Sequence, residues 1–397
     1  MTEHHRSKME LQISFRVRQN LLITVALLIC FSAIFYTYYK PTVNWLKWPI
    51  VSRSNSCSDI CIKALKMPNQ MEIVNNTCMV NFTSIKILVT QSEPVTQTDP
   101  DTILLIWMWP FGQKFDLGIC SSQFNIHGCR LTNDRSQFKN SHGFLFHHRD
   151  IHEDDMPTLQ RPPFQKWIWM NMESPSNSPP RSTLNNLFNL TTTYRQDSDI
   201  MIPYGRILEK TGGSTTFKIP YKNKLVCWIV SNWNSNTHKR SQYYENLKQH
   251  ISIETYGHSF RRPVRDEDYL DLVSSCKFYL SFENSIHKDY ITEKLYNPLN
   301  LGTVPVVLGP PRKNYEELIP GNAFIHVDDF SSPKELAEHL KLLDQNESLY
   351  RQYFTWREHF VSSTTSFGLE HACWACDHIR RNKNYRVVND LSSWYWG

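Results

Sequence analysis

Glycine is scarce in this chain, and neither sign of charge dominates it. Only 13 of its 397 residues are glycine, 20% are charged and 40% are hydrophobic. This composition argues against a disordered or repetitive chain and is sufficient for two hydrophobic cores. A formal net charge of +5 over this length gives little attraction for a polyanion. The chain also lacks a basic helix, zinc-finger spacing and an RNA-binding signature, so we expect no nucleic acid among its partners.

Long uncharged runs are equally rare, and one stands near the N-terminus. Residues 21–39, LLITVALLICFSAIFYTYY, carry no charge and match the roughly 20 residues that span a bilayer. The run begins too far into the chain for a secretory signal and lacks a small-residue cleavage site. Four lysines or arginines precede it, whereas Lys40 and Lys47 follow it. The positive-inside rule therefore predicts a cytoplasmic tail at residues 1–20 and a lumenal remainder. A buried core helix is the alternative, but the aromatic residues at one end favour the membrane.

Residues 40–100 are rich in serine, asparagine, threonine and glutamine, which predicts a stem between the membrane and the folded part. Four N-x-[ST] sequons are candidate N-glycosylation sites in a lumenal chain: Asn75, Asn81, Asn189 and Asn346. An oxidising lumen would pair most of the cysteines beyond Cys30. The stem contains an odd number of them, and the sequence leaves open the pairing of Cys57, Cys61 and Cys78.

From residue 101 onward, short apolar runs alternate with helical patterns and turn residues. We predict a first α/β domain over residues 101–213, with strands at 102–109, 144–148, 166–173, 191–194 and 199–203 and a helix at 184–190. A second α/β domain over residues 214–360 has predicted strands at 225–230, 251–256, 277–282, 304–308 and 324–327 and a last helix at 348–360. This alternation predicts two doubly wound parallel sheets that face each other across a cleft.

The most informative stretch covers residues 277–309. It reads as strand, polar loop, helix and strand, with Thr292 as the N-cap of the helix. Ligands of parallel sheets bind at the carboxyl ends of the strands, and the free N–H groups of a helix N-terminus favour anions. Glu293 and Lys294 in the first turn therefore suit a ligand that carries a hydroxyl beside a phosphate. A capped helix with a surface ion pair is the alternative interpretation.

The same stretch, through FYLSFENS and DYITEK, resembles the donor motif of the α-1,3-fucosyltransferase family, and most of all the vertebrate Golgi enzymes that fucosylate N-acetyllactosamine. The resemblance extends from residue 102 to the C-terminus and implies two Rossmann-type domains in a GT-B-like arrangement. It further implies a type II Golgi membrane enzyme that moves L-fucose from GDP-β-L-fucose, with inversion, to GlcNAc of N-acetyllactosamine on glycoproteins and glycolipids. The products would be of Lewis x type. Alternatives are transfer to chitobiose-core GlcNAc or to protein, and a membrane-tethered binder without turnover. The sequence leaves a homodimer open.

The family motifs imply roles for particular residues. Glu173, in the setting W-M-N-x-E-S-P, resembles the catalytic base, and the end of a buried strand is a suitable place to present a carboxylate to a cleft. Lys294 and Arg240 match the diphosphate contacts, for which a guanidinium is well suited. An exposed strand end for Glu173 and a helix-surface ion pair for Arg240 are the alternatives. The resemblance also implies donor contacts from Glu293, Tyr290, Asn284, Tyr279, Ser231 and Asn232.

The acceptor side is indicated by His147-His148-Arg149-Asp150. This segment resembles the one in which an arginine accompanies preference for Galβ1-4GlcNAc, so the resemblance implies an acceptor contact from Arg149. Further candidates on this side are Phe111, Gln113 and Trp109. The alternative is that the two histidines merely form hydrogen bonds within the strand.

Two D-x-D spacings, at residues 197–199 and 266–268, are typical of metal-dependent transferases. Neither follows a strongly apolar strand, so we interpret both as solvated acidic loops. We expect no metal site and no required cofactor, with Mn²⁺ as a nonspecific stimulant at most. The single C-x-x-C at 373–376 lacks a second such pair, which argues against zinc. The resemblance implies disulfides that return residues 361–397 to the first domain or join strands of the second: Cys120–Cys373, Cys129–Cys376 and Cys227–Cys276.

Overall fold

The structure is a computed structural model that describes residues 71–74, 77–82, 85–90, 101–211, 217–233 and 239–397. In the first three ranges, β1 (Met71–Val74), β2 (Thr77–Phe82) and β3 (Ile85–Thr90) form an antiparallel sheet. This sheet belongs to a compact unit separate from residues 97–397. The helices within the described ranges are not long and apolar enough to cross a membrane. The predicted span at 21–39, the domain boundary at 213 and the sequon residue Asn75 lie outside these ranges.

Six parallel strands form the first sheet of the larger unit, in the order β5-β4-β6-β7-β8-β9. They are β4 (Thr102–Ile106), β5 (Cys129–Thr132), β6 (Gly143–His147), β7 (Lys166–Asn171), β8 (Leu190–Thr193) and β9 (Ile200–Met201). A short helix, α1 (Cys120–Phe124), connects β4 to β5. Strands β6 and β7 are buried at every position, which explains why they read as continuous apolar runs. The predicted strands of this half are confirmed, with β5 as an addition.

Five parallel strands form the second sheet, in the order β12-β11-β13-β14-β15. They are β11 (Lys224–Ile229), β12 (Glu254–Tyr256), β13 (Cys276–Phe282), β14 (Val304–Leu308) and β15 (Ile325–His326). The helices of this half are α2 (Lys239–Leu247), α3 (Asp266–Ser274), α4 (Glu293–Asn300), α5 (Arg312–Glu316), α6 (Pro333–Gln345) and α7 (Glu347–Gln352). The predicted α/β fold with parallel sheets is therefore confirmed. In both sheets the strand order reverses, between β4 and β6 and between β11 and β13, and ligands of open parallel sheets bind beside such reversals.

The chain passes between the two sheets twice, and the two passages pair with each other. Strand β10 (Gly205–Glu209) is antiparallel to β16 (Phe360–Thr364). After β16 the chain returns to the first sheet, where α8 (Leu369–Arg381) packs against β4, β5 and β6. Two disulfides, Cys120–Cys373 and Cys129–Cys376, hold α8 there, and Cys227–Cys276 joins β11 to β13. These are the three pairs that the resemblance implies. The last helix is α9 (Leu391–Trp396).

The predicted helix at 184–190 is wrong. Leu184 ends a short 3-10 turn, Asn186 has a φ of 60°, and Leu190 already belongs to β8. Leu184, Phe188 and Leu190 are all buried in the core of the first sheet. Their spacing imitates one face of a helix, but an irregular chain brings them to the core.

The predicted helix at 348–360 is also wrong in its length, because α7 ends at Gln352. Tyr350 and Phe354 fill the core of the second sheet, whereas Trp356 packs in a different cluster beside α4 and α5. The chain bends between them through a short 3-10 turn. A straight helix would not reach both clusters.

The structure contradicts N-glycosylation at Asn189. Its side chain is 1% exposed. The amide oxygen accepts a hydrogen bond from the Trp167 backbone N–H at 2.8 Å, and the amide nitrogen donates to the Arg386 carbonyl at 2.5 Å. The nitrogen that would carry a glycan is therefore enclosed. Asn346 is exposed and uses only its amide oxygen, which caps α7 by accepting from the Leu349 N–H, so it stays a candidate.

Candidate active site

One cleft of about 500 Å³ collects side chains from both halves of the larger unit. Seven residues predicted from the sequence line it: Phe111, Gln113, Glu173, Asn284, Tyr290, Glu293 and Lys294. The first three follow β4 and β7 of the first sheet, and the other four lie between β13 and the first turn of α4. Because parallel strands present their carboxyl ends at one edge, each sheet contributes one wall.

Hydrogen bonds to the backbone N–H and to the backbone carbonyl hold Glu173 in place. Its N–H donates to Asn171 Oδ1 at 3.1 Å, and its carbonyl accepts from the Tyr395 hydroxyl. The preceding carbonyl, of Met172, accepts from the Tyr204 hydroxyl. Strand β7 ends at Asn171, so these contacts replace the backbone hydrogen bonds that a continuing strand would form. They fix the point from which the carboxylate enters the cleft.

The electrostatic setting of Glu173 suits a general base. Burial raises the pKa of its carboxyl, while Arg149 and Lys294 oppose the shift and Glu293 adds to it. A carboxylate with a raised pKa accepts a proton more readily than an ordinary one. Glu173 and Lys294 both line this cleft.

Lys294 lies at the N-terminus of α4, which Thr292 caps by accepting from the Lys294 N–H. Its ammonium contacts Glu293 at 2.9 Å and Glu283 at 3.5 Å. Burial opposes the charged form, but these two carboxylates outweigh it and hold the pKa of Lys294 above its usual value. The cation is thus charged at any physiological pH.

Arg240 stands behind the cleft and does not line it. The side chain, on α2, is 4% exposed, and its Nη2 donates to the Asn232 carbonyl. Its Nε is buried without a partner among the residues that the structure describes. Burial lowers the pKa of Arg240, and Glu283 and Tyr290 oppose that shift. The guanidinium therefore belongs to the same charge cluster as Lys294. Residues 234–238, which precede α2, lie outside the description.

Besides Arg240, five of the candidates do not line the cleft: Tyr279, Trp109, Ser231, Asn232 and Arg149. Tyr279 is 4% exposed and packs in a core cluster with the Cys227–Cys276 disulfide, because β13 is covered on both faces. Trp109 packs edge-on against Phe115 with ring centroids 4.9 Å apart. Ser231 and Asn232 are exposed at the end of β11. The burial of Tyr279 therefore contradicts a direct donor contact, whereas contacts from Trp109, Ser231 and Asn232 stay predictions.

The wall of the cleft that the sequence predicts to face the acceptor contains a turn fixed by Asp150. This carboxylate accepts from the Phe111 N–H at 2.7 Å and contacts His147 Nδ1 at 2.6 Å. Phe111 has a φ of 53°, and its ring stacks on Phe367 with centroids 5.7 Å apart. The Arg149 guanidinium lies 5.8 Å above the Phe111 ring, at the rim of the cleft. The wall therefore offers an aromatic surface beside a cation.

His147 contacts Asp150 within the 147–150 segment, but His148 hydrogen-bonds to other parts of the chain, so the alternative of hydrogen bonds within the strand fails for His148. His148 Nε2 lies 3.1 Å from the Pro179 carbonyl, and its Nδ1 accepts from Trp169 Nε1 at 3.3 Å. Burial lowers the pKa of His148 to about 4. Both histidines are structural supports behind Arg149.

Sequence reasoning missed half of the lining: Met172, Tyr204, Asn297, Thr364, Thr365, Phe367 and His371. Most of these come from the passages between the sheets and from the start of α8. The signal that points to them is the Cys120–Cys373 pairing, which requires residues near 373 to lie beside the first sheet. His371 is fully buried, and burial lowers its pKa to about 3, so its ring is neutral.

Three of the four aspartates of the two D-x-D spacings pair with arginines. Asp197 pairs with Arg195 at 2.7 Å, and Asp199 pairs with Arg386 at 2.8 Å. Asp268 pairs with Arg265 at 2.7 Å. Across the described residues, no group of three or more histidine, cysteine or acidic side chains could hold a metal ion.

Removal of the Tyr395 hydroxyl tests whether α9 helps to hold the backbone of Glu173 in place. Tyr395→Phe removes one hydrogen bond to the Glu173 carbonyl, and we expect unfolding free energy to fall by about 1 kcal/mol. Transfer should slow more than this loss of stability explains, because the base loses its support. Thermal unfolding and kcat, measured on the same preparations, check both effects. An unchanged kcat with a lowered Tm would restrict Tyr395 to a role in stability.

Comparisons with known proteins identify the family. A model described as "Fucosyltransferase, N-terminal" matches residues 99–205, and "Glycosyltransferase family 10 (fucosyltransferase) C-term" matches residues 219–394. The chain is 49% identical over 377 residues to 4-galactosyl-N-acetylglucosaminide 3-alpha-L-fucosyltransferase 9 of Mus musculus and of Homo sapiens, covering 94% of this chain and 96% of each relative. A 3-galactosyl-N-acetylglucosaminide 4-alpha-L-fucosyltransferase of Bos taurus is 44% identical over 299 residues, covering 74% and 81%.

Among solved structures, a crystal structure of an alpha1,3-fucosyltransferase with GDP-fucose matches at 15% identity and a TM-score of 0.49, covering 74% of this chain and 93% of that one. The two family models together span both sheets and the returning C-terminal helix. By these matches, the chain belongs to glycosyltransferase family 10, the fucosyltransferases.

Proposed function

We propose that this chain transfers L-fucose from GDP-β-L-fucose, with inversion, to the 3-hydroxyl of GlcNAc in type 2 N-acetyllactosamine. The observation that carries the proposal is the presence of Glu173 and Lys294 in one cleft, each supplied by a different sheet. Transfer of a glycosyl group requires a proton acceptor on one side of the sugar and positive charge for the leaving group on the other. The cleft provides both.

In the reaction we propose, Glu173 takes the proton of the acceptor hydroxyl as that oxygen forms a bond to fucose C1. The bond from C1 to the diphosphate oxygen breaks, and GDP leaves with the electron pair. Lys294, with Arg240 behind it, neutralises the charge that develops on the diphosphate. Attack from the face opposite the leaving group gives the α-linkage from the β-donor.

The donor would occupy the second half of a GT-B-like arrangement. The Lys294 ammonium, at the N-terminus of α4, adds its charge to the positive end of the helix dipole, which favours an anion there. A second cleft of about 450 Å³ lies at the carboxyl end of β14, lined among others by Lys239, Tyr243 and Ile286. Lys239 precedes Arg240 in the chain, and Ile286 follows Asn284 by two positions. This neighbourhood gives the nucleoside a place beside the diphosphate contacts.

The acceptor assignment rests on the relatives and on the acceptor wall. The relatives at 49% identity are named for 4-galactosyl-N-acetylglucosaminide, whereas the one at 44% identity is named for the 3-galactosyl isomer. Arg149 stands at the rim beside Phe111, where it can contact an acceptor. We therefore propose Galβ1-4GlcNAc ends on glycoproteins and glycolipids, with the chain anchored as a type II protein in the Golgi membrane.

Release of GDP tests the proposal directly. The full-length chain in detergent, given GDP-fucose, should release GDP only when N-acetyllactosamine is added, and the product should carry fucose on GlcNAc. The Galβ1-3GlcNAc isomer should be a much poorer acceptor. Binding of GDP without any turnover, whether or not acceptor is present, would favour a non-catalytic binder. Turnover with chitobiose-core GlcNAc alone would change the assigned acceptor to that sugar.

Chelation tests the proposal that no metal is required. Full activity is expected in excess EDTA, because the diphosphate has Lys294 and Arg240 as its counter-charges. Initial rates with EDTA and with added Mn²⁺ measure this, and stimulation by Mn²⁺ should be modest and shared by other divalent ions. A strict requirement for one cation would contradict the assignment of leaving-group stabilisation to these side chains.

A further inference from the structure

Glu283 is a buried carboxylate that the proposed chemistry leaves without a role. It follows β13 directly and is 2% exposed. Its backbone N–H donates to the Leu308 carbonyl at 2.8 Å, which fixes its position between β13 and β14. A buried carboxylate is unfavourable unless paired and hydrogen-bonded, so its partners indicate what it holds.

The partners of Glu283 all belong to the start of α4. One carboxylate oxygen accepts from the Thr292 N–H at 2.8 Å, and both oxygens lie 2.9 Å from Thr292 Oγ1. The Lys294 ammonium lies 3.5 Å from Oε2. Thr292 is the N-cap of the helix. One side chain therefore connects the end of a strand, the first residue of a helix and the cation of the cleft.

Lys294 lies between two carboxylates that differ in exposure. The side chain of Glu283 is 1% exposed, whereas that of Glu293 is 48% exposed. An arriving diphosphate can displace Glu293, because its carboxylate regains water. It cannot displace Glu283 without leaving a buried charge uncompensated, which is strongly unfavourable.

We propose that Glu283 is a positioning residue: it is the permanent counter-ion that holds the Lys294 ammonium towards the cleft, while Glu293 is the partner that the diphosphate replaces. The inference rests on the proposed function, since it concerns how that site binds its leaving group. It gives the two neighbouring carboxylates distinct roles. Glu293, once released from Lys294, is available for a sugar hydroxyl.

The charge of Glu283 should be visible in the titration of Lys294. The titratable groups that act on the pair are Glu293 on α4, Arg240 on α2, Glu173 from the first sheet, and five tyrosines: Tyr204, Tyr269, Tyr290, Tyr296 and Tyr315. Without Glu283, Lys294 loses an anion and keeps Arg240 as a cationic neighbour. Its pKa therefore falls, and the ammonium deprotonates at a lower pH than in the wild type.

Glu283→Gln tests the inference in the full-length chain, because glutamine keeps an oxygen for the Thr292 N–H and removes only the charge. We expect kcat to fall roughly 10- to 100-fold, as for a displaced catalytic group, while KM for GDP-fucose changes by less than about threefold. In Glu283→Gln, kcat should decline at alkaline pH, beginning at a lower pH than in the wild type, in which Lys294 stays charged through the physiological range. Glu283→Asp keeps the charge but moves it further from Lys294. We therefore expect a lowered kcat, with an alkaline decline at a pH close to that of the wild type.

Glu338→Gln is the matched control, since this exposed glutamate on α6 pairs with Lys334 at 3.8 Å and does not line the cleft. Calorimetric binding of GDP over the same pH range reports on Lys294 without transfer, so the inference can be judged even if the acceptor assignment fails. An alkaline decline of kcat in Glu283→Gln that begins no lower in pH than in the wild type would overturn the inference, whether or not Tm falls. An unchanged kcat would overturn it as well.

Discussion

Glu173→Gln should abolish fucosyl transfer and leave the binding of GDP-fucose intact. The amide has nearly the shape of the carboxyl and keeps the backbone contacts to Asn171 and Tyr395, because both involve main-chain atoms of residue 173. It cannot accept a proton from the acceptor hydroxyl. General-base catalysis contributes about 10²- to 10⁴-fold, so kcat should fall by that range. Single-turnover transfer and calorimetric titration with GDP-fucose measure the two properties separately.

The control for this variant is Glu153→Gln, which makes the same change at an exposed position on the same half of the chain. It should transfer fucose at the wild-type rate. If Glu173→Gln retains near wild-type transfer, the base lies elsewhere in the cleft. A loss of GDP-fucose binding together with transfer would instead mean that residue 173 supports the fold of the cleft.

The pH dependence of the wild-type enzyme follows from the same carboxyl. Burial raises the pKa of Glu173 despite the opposing charges of Arg149 and Lys294. The base is active when ionised, so transfer should decline as pH falls through this raised pKa, at a higher pH than an ordinary glutamate would give. Replacing Arg149 by glutamine removes one of these opposing charges. The acidic decline of kcat/KM should therefore occur at a still higher pH. A profile of kcat/KM against pH for both proteins is the measurement, and an acidic limb that moves down contradicts the assignment.

The site residues that the family resemblance implies and that line the cleft mostly follow a strand end or begin a helix. Glu173 and Asn284 each follow a buried strand, and Lys294 occupies the first turn of a capped helix. Local pattern fixes such positions, because the carboxyl edge of a parallel sheet and the N-terminus of a helix are set by neighbouring residues. The alternation of apolar strand runs with helical patterns also predicted the two parallel sheets.

The residues that sequence patterns missed are placed by distant parts of the chain. Tyr204 lies before a passage between the sheets, and Tyr395 reaches Glu173 from 222 positions away. No local periodicity encodes such a contact. The wrong assignment of Tyr279 has a related cause, because a strand buried on both faces offers no alternation that separates core side chains from ligand contacts. The Asn189 sequon likewise carries no information on burial.

Lys294→Met should reduce turnover more than it reduces binding of the acceptor. Methionine keeps much of the side-chain length and removes the ammonium, so the carboxylates of Glu283 and Glu293 then face the diphosphate without a cation between them. Loss of one preorganised group that stabilises developing charge lowers kcat by about 10²- to 10³-fold. The rate should fall less for a donor whose leaving group carries less negative charge. Lys334→Met, at an exposed lysine on α6, is the matched control and should leave kcat unchanged. An equal fall in rate for good and poor leaving groups would show that Lys294 binds the donor without acting on the departing diphosphate.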